Sequence, residues 1–308
     1  MKVFTVDTID LVFGGYKNTI ASYLVKSDQG LLLSDQGLLL IETGSQSVVK
    51  NTVTGLAKLG IQPTDIKHVF VTHIHLDHAG AAGWWASQGA QIYVHPRGAK
   101  HLVDPSRLIQ SATMVYGDAL ESLFGISLPV PPEQVTTLED NEQITIGDIC
   151  ITAWDTQGHA KHHNCYVIDD CVFTGDSAGS RIPGNRFINL TSAPPQFDPT
   201  AFDITIDRLL AGNFSKLYLG HYGEVTDVED HLNRFREIVW GSAELVRAHL
   251  RNGLDDASIV QAYIEYSQQR AMLDGVSAEM MDVYETANGF KMSGEGILLY
   301  WKRKLSGK

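Results

Sequence analysis

Apolar positions in the first two-thirds of this chain fall in short runs separated by stretches with helical spacing, and the last quarter changes to a steady 3.6-residue rhythm. The short runs predict strands at Lys2 to Thr5, Leu11 to Phe13, Ile20 to Val25, Leu38 to Ile41, His68 to Thr72, Gln91 to Val94, Ile149 to Trp154, Tyr166 to Ile168, Cys171 to Thr174 and Lys216 to Leu219. Between them, helices are predicted over Ser47 to Leu59, where Val48, Val49, Val53, Leu56 and Ala57 share a face, and over Gly80 to Gln88, which carries Trp84 and Trp85. This alternation predicts an α/β fold with helices packed outside two sheets.

Thr226 and Glu229 have capping-box spacing ahead of a stripe formed by Leu232, Phe235, Ile238, Val239, Leu245 and Val246, and Gly253 is placed to stop that helix. Further helices are expected over Ala257 to Leu273 and Ala278 to Ala287, with Ile297 to Trp301 open to either helix or strand. These elements read as a helical extension, residues 226–308, that pads a catalytic domain over residues 1–225; a dimer contact or a pocket wall is the alternative. Residues 97–132 are helical in pattern, end in the proline-rich PVPP, and fall between two strands, where an insertion could hang over a site as a lid.

Ser27 to Leu33 reads SDQGLLL and is followed at once by an identical copy, Ser34 to Leu40. Two copies of seven residues are too few to stack as a solenoid. Were both SDQG segments to reverse the chain, Leu38 to Ile41 would run parallel to Ile20 to Val25, which a short hairpin cannot produce. One copy must therefore fail to reverse it, and the second copy is expected to set the core register.

A length of 308 residues with 44% hydrophobic content is sufficient for one large buried core. The formal charge of −12 repels a phosphate backbone, so nucleic acid is a disfavoured partner. No apolar run has the length of a bilayer, and the N-terminus lacks an apolar stretch behind a basic one, so a cytoplasmic protein that neither enters nor crosses a membrane is expected. Cys150, Cys165 and Cys171 have no CxxC spacing and are read as buried thiols in a reducing compartment.

The chemistry concentrates in His73-Ile74-His75-Leu76-Asp77-His78, between the strand HVFVT and the small-residue helix start AGAAG. Three imidazoles and a carboxylate on one strand-to-helix loop suit a borderline metal such as zinc. One cluster does not complete two coordination shells, and further ligand types stand at other strand ends beside glycine: His159 in QGHAKHH, Asp176 in FTGDS and His221 in LGHYG.

The order HxHxDH, GH, GD and a late GH resembles the ligand series of the metallo-β-lactamase superfamily across roughly residues 1–225. GHAKHHNCYV, FTGDSAG, APPQFD and LYLGHYG look most like its stand-alone cytoplasmic hydrolases. The resemblance implies a four-layer αβ/βα sandwich and two divalent ions, zinc first, with iron or manganese as alternatives. It implies that His73, His75 and His159 hold one ion, that Asp77, His78 and His221 hold the other, and that Asp176 bridges them. Glu42 stands where relatives carry Asp and is expected to orient a ligand imidazole. His163 resembles a supporting histidine, Tyr222 is a packed tyrosine or an oxyanion donor, and His162 is expected in solvent.

Two adjacent ions can lower the pKa of a shared water to near 7, giving a hydroxide that Asp77 would orient while moving the proton. The expected activity is hydrolysis of a small ester-like substrate, whether lactone, thioester or carboxylic ester, with a homodimer as a candidate assembly. The tyrosine that quorum-signal lactonases place after the bridging aspartate is absent, because Ser177, Ala178 and Gly179 follow Asp176, and the glyoxalase II cysteine and glycine run there is absent too. An iron-dependent oxidoreductase such as a persulfide dioxygenase is the main alternative, and a phosphodiesterase or nuclease is the third reading.

Overall fold

The computed structural model describes residues 4–27 and 38–307. In order these form β1 (Phe4–Asp10), β2 (Ala21–Ser27), β3 (Leu38–Ile41), α1 (Val49–Lys58), β4 (His68–Phe70), α2 (Leu76–Ala79), α3 (Ala82–Ser87), β5 (Gln91–Val94), α4 (Pro96–Val103), α5 (Ser106–Tyr116), α6 (Leu120–Phe124) and β6 (Val135–Thr137). The second half adds β7 (Gln143–Ile146), β8 (Ile149–Asp155), β9 (Asn164–Ile168), β10 (Cys171–Gly175), α7 (Pro199–Ala211), β11 (Lys216–Leu219) and β12 (Gly223–Val225). The chain closes with α8 (Val228–Arg251), α9 (Asp256–Leu273), α10 (Ala278–Ala287) and α11 (Phe290–Leu305).

The strands form two six-stranded sheets, ordered β1-β2-β3-β4-β5-β6 and β12-β11-β10-β9-β8-β7. Side chains alternate between faces along each strand. Phe4, Tyr23, Leu39, Phe70 and Tyr93 therefore meet Ile149, Ile151, Tyr166 and Phe173 in a dry layer between the sheets. The outer face of the first sheet, with Leu24, Leu40, Val69 and Ile92, is covered by Leu56 of α1 and Trp85 of α3. The outer face of the second, with Val172, Leu217 and Leu219, is covered by Phe202 of α7, Phe235 of α8, Tyr263 of α9 and Trp301 of α11. The result is the expected αβ/βα layering, and α8, α9 and α11 share one apolar core with the second sheet.

Several expectations differ from the structure. Leu11 to Phe13 is not a strand: Val12 has φ 50°, and the backbone tightens into a turn over Phe13–Gly15. The short β6, β7 and β12 lack a strong apolar pattern and are not among the predicted elements, nor is α7, although its Phe202, Ile206 and Leu209 have helical spacing. Helix α8 starts from Asp227 without a side-chain cap, so Thr226 and Glu229 do not form the expected capping box. Ile297 to Trp301 is helical, inside α11. Cys165 and Cys171 are buried as expected, whereas Cys150 is exposed, because it faces away from the layer that takes Ile149 and Ile151.

Strands β2 and β3 are antiparallel, with Leu24 opposite Leu40 and Lys26 opposite Leu38, so the second heptad copy supplies the core register. The placement of the first copy lies outside the described residues. Residues 97–132 contain α4, α5 and α6, whose inward side chains Leu102 and Phe124 join the core under the first sheet. Among the described residues no helix is long and apolar enough to cross a membrane.

Candidate metal centre

Seven side chains from four separate places in the sequence meet at one edge of the sandwich because each follows the C-terminal end of a strand. His73, His75, Asp77 and His78 follow β4, His159 follows β8, Asp176 follows β10 and His221 follows β11. Two glycines allow the approach. Gly175 has φ 48°, and a Cβ there would meet the Thr72 hydroxyl at 2.4 Å; a Cβ on Gly220 would meet His78 Cε1 at 2.8 Å.

His73 Nε2 and His159 Nε2 lie 3.0 and 2.9 Å from His75 Nδ1, forming one triad. A second is formed by His78 Nε2, His221 Nε2 and Asp77 Oδ2, with separations of 3.2 to 3.5 Å. Ligands held tetrahedrally at zinc–nitrogen distances stand about 3.3 Å apart, so both triads have the size of a cation shell. Asp176 lies between them: Oδ2 is 3.4 Å from His159 Nε2, while Oδ1 is 3.2 Å from His78 Nε2 and 3.5 Å from His221 Nε2.

Hydrogen bonds behind the imidazoles assign their tautomers. His159 Nδ1 meets the Thr191 carbonyl at 3.0 Å and His221 Nδ1 meets the Thr19 carbonyl at 2.7 Å. His78 Nδ1 meets Glu42 Oε1 at 3.1 Å. Carbonyls and carboxylates only accept, so each Nδ1 carries a hydrogen and each Nε2 faces inward. The Thr72 hydroxyl donates to Glu42 and so accepts from His73 Nδ1 at 3.0 Å, which fixes His73 likewise. Converging lone pairs repel one another unless a cation sits among them. Asp176 Oδ1, buried and facing only the His78 and His221 Nε2 atoms, is the atom such a cation would satisfy.

Residues 19–221 match the metallo-beta-lactamase superfamily. The chain belongs to that superfamily. It is 27% identical over 175 residues to a metallo-beta-lactamase fold-containing protein of Sulfurisphaera tokodaii, covering 55% of this chain and 66% of that one. It is 30% identical over 149 residues to a hydroxyacylglutathione hydrolase of Shewanella halifaxensis, covering 48% of this chain and 45% of the hydrolase. The chain thus spans less than half the length of that hydrolase. Among solved structures, a metallo-beta-lactamase family protein from Thermus thermophilus superposes with a TM-score of 0.59 at 18% identity, covering 99% of this chain and 95% of the other. The archaeal protein's crystal structure superposes with a TM-score of 0.56 at 21% identity, over 74% of this chain and 85% of that one. These superpositions show the fold, and in the Thermus case it extends through the C-terminal helices.

The electrostatics of this superfamily member's site divide by triad. Burial, reinforced by neighbouring imidazoles, holds His73 and His75 well below the ordinary histidine value. Burial also opposes a charge on His78, but Asp176, Asp77 and Glu42 outweigh it and hold His78 well above that value. Burial likewise opposes ionisation of Asp77 and Asp176, and the imidazoles around them keep both carboxyls below the usual range. A proton on His78 thus stands in for positive charge that a bound cation would bring, and binding would displace it.

Glu42, fully buried at φ 68°, also accepts from the Thr72 backbone N–H at 3.3 Å. His163 lies beneath Asp176: its Nε2 accepts from the Asp176 N–H at 3.2 Å, and its Nδ1 meets the Thr156 and Ser177 hydroxyls at 2.9 and 3.0 Å. Tyr222 packs at the rim of the inter-sheet core and against the Tyr284 cluster, where burial and Asp10 push its hydroxyl up to about 12. His162 departs from its expected place in solvent. It is buried beside His75, with ring centroids 5.4 Å apart, and burial pushes it down to about 3. Thr72, Thr19 and Thr191 are supporting residues that the sequence does not signal; the last two act through backbone carbonyls, which no residue type announces.

Proposed function

We propose that this chain is a metal-dependent hydrolase of a small ester-like substrate, a lactone, thioester or carboxylic ester, with two divalent ions held by the two triads and bridged by Asp176. The observation that supports it most is the buried Asp176 carboxylate, which divides its oxygens between the inward-facing imidazole nitrogens of the two triads. Bound there, divalent ions supply Lewis acidity and bring the pKa of a water near neutrality. Imidazole and carboxylate donors suit zinc, with iron and manganese as competitors for the same set.

The protein's own groups divide the remaining work. Asp77 is the solvent-reaching carboxylate of the cluster, with 21% of its side chain exposed against 3% for Asp176. In this reading Asp77 orients the attacking water and accepts its proton at the carboxylate. Glu42, Thr72, Thr19 and Thr191 keep the imidazoles aimed, so little reorganisation is left to the reaction. A cysteine nucleophile has no support: burial pushes the Cys165 thiol up to about 12.

The likeness to hydroxyacylglutathione hydrolases favours thioesters among candidate substrates. The test is a hydrolysis panel of thioesters, lactones, aryl esters and phosphodiesters, run on metal-loaded protein with optical spectra recorded in parallel. Turnover of carboxylic or thiol esters, lost with His75→Ala, is the expected result. An iron-dependent visible band with no esterase activity, or turnover of phosphodiesters alone, would overturn the proposal.

A further inference from the structure

The segment from Ser177 to Asp198, between Asp176 and α7, carries the Thr191 carbonyl that orients His159, yet its only strand-like pairing among the described residues is an isolated bridge between Ser180 and Asn189. Four of its anchors lie in the C-terminal region, on α10, the residue after it, and α11. The Tyr284 hydroxyl of α10 accepts from the Ile182 N–H at 3.1 Å and donates to the Phe187 carbonyl at 2.9 Å. Asn189 Nδ2 donates to the Asn288 carbonyl at 2.8 Å.

Around Thr191 itself the anchoring narrows to one residue of α11. The Ser293 hydroxyl donates to the Leu190 carbonyl at 3.0 Å, and the Ser192 hydroxyl donates back to the Ser293 carbonyl at 3.0 Å. Both bonds are buried and they flank the Thr191 peptide on either side. One turn on, α11 comes so close that a Cβ on Gly296 would lie 1.7 Å from the Ser192 carbonyl oxygen. The Thr191 hydroxyl in turn donates to the Asp176 carbonyl at 3.2 Å, so the clamped residue touches both the His159 imidazole and the backbone of the bridging aspartate.

We propose that α11 is part of the metal centre. Ser293 and Gly296 are positioning residues that hold the Thr191 peptide, and through it the His159 imidazole, in the orientation a cation at the His73, His75 and His159 triad requires. The inference rests on the two-cation reading above. A loop free to turn would let His159 rotate, and the lost orientation would appear as weaker binding at that triad while the other, built on Glu42 and Thr19, is left alone.

The experiment is cobalt and zinc titration of the metal-stripped full-length protein, following the visible cobalt bands and competition with a chelator. Wild type, Ser293→Ala, Gly296→Ala and a control, Ser267→Ala, are compared; Ser267 is a buried serine of α9 whose hydroxyl bonds to Tyr263. Ser293→Ala is expected to weaken one of two bound ions by about 10- to 100-fold and spare the other, with Ser267→Ala matching wild type. Gly296→Ala should do at least as much, and Ser293→Ala keeps the test decisive if the glycine variant does not fold. Wild-type affinity for both ions in Ser293→Ala, or equal weakening of both, would overturn the inference. Wild-type protein that takes up neither metal would overturn the two-cation reading beneath it.

Discussion

Glu42 shows how one side chain can set the state of several others. Its carboxylate takes the Thr72 hydroxyl and backbone N–H and the His78 Nδ1–H, and its backbone is held at φ 68°, a region that costs a non-glycine residue about 1–3 kcal/mol. The structure sustains that cost because the same carboxylate orders a ligand of each triad, His78 directly and His73 through Thr72. Glu42→Ala should therefore lower cation affinity by about 10- to 100-fold, read by chelator competition, with a folded protein by circular dichroism. Unchanged affinity would mean that His73 and His78 are oriented by packing alone. Residue type makes the histidines and aspartates legible in the sequence. The carbonyls of Thr19 and Thr191 are not, since every residue carries one and only the fold selects which is used.

Among the elements, α8 shows what burial does to a titratable group away from the site. His231 is fully buried on the inner face of this helix, where its Nε2 donates to the Ala178 carbonyl at 2.8 Å, and burial pushes its pKa down to about 4. An unfolded histidine titrates near 6.5, so between those values the unfolded chain binds a proton that the folded one refuses. His231's contribution is then fully present above about pH 6.5 and is lost as pH falls toward 4, a span worth about 3 kcal/mol. His231→Gln, which keeps a donor for Ala178, should flatten that acid-side loss in denaturant titrations at about pH 4.5 and 7; an unaltered slope would rule out this histidine as its source.

Long apolar stripes such as that of α8 are legible in the sequence, as are strands with dense apolar runs such as Ile149–Asp155. The three-residue strands β6 and β12 are not, because register with a neighbour rather than their own pattern makes them strands. Leu11 to Phe13 misleads for the opposite reason: its side chains are needed in the core, but Asp10 accepts from the Val12 and Asn18 N–H groups and closes a turn there.

At the scale of the whole molecule, charge and convergence decide what the fold can hold. Glu42, Asp77 and Asp176 bring three carboxylates to one edge of the sandwich, with the two most buried at 1% and 2% exposure, and no lysine or arginine is hydrogen-bonded or ion-paired to any of them among the described residues. Carboxylates so placed need compensating charge, and because burial disfavours a proton on His73 and His75, a metal ion is the form of that charge their side of the site accepts. The C-terminal helices share a core with the second sheet, so the chain offers the cations a frame fixed from both sides.

The most direct test is elemental analysis of native protein beside His75→Ala and Asp176→Ala. Two divalent ions per wild-type chain are expected, with a clear loss in both variants, which remain folded. Full metal content in either variant, or a wild-type protein that stays metal-free after exposure to zinc, manganese and ferrous salts, would contradict a dinuclear centre built on these seven side chains.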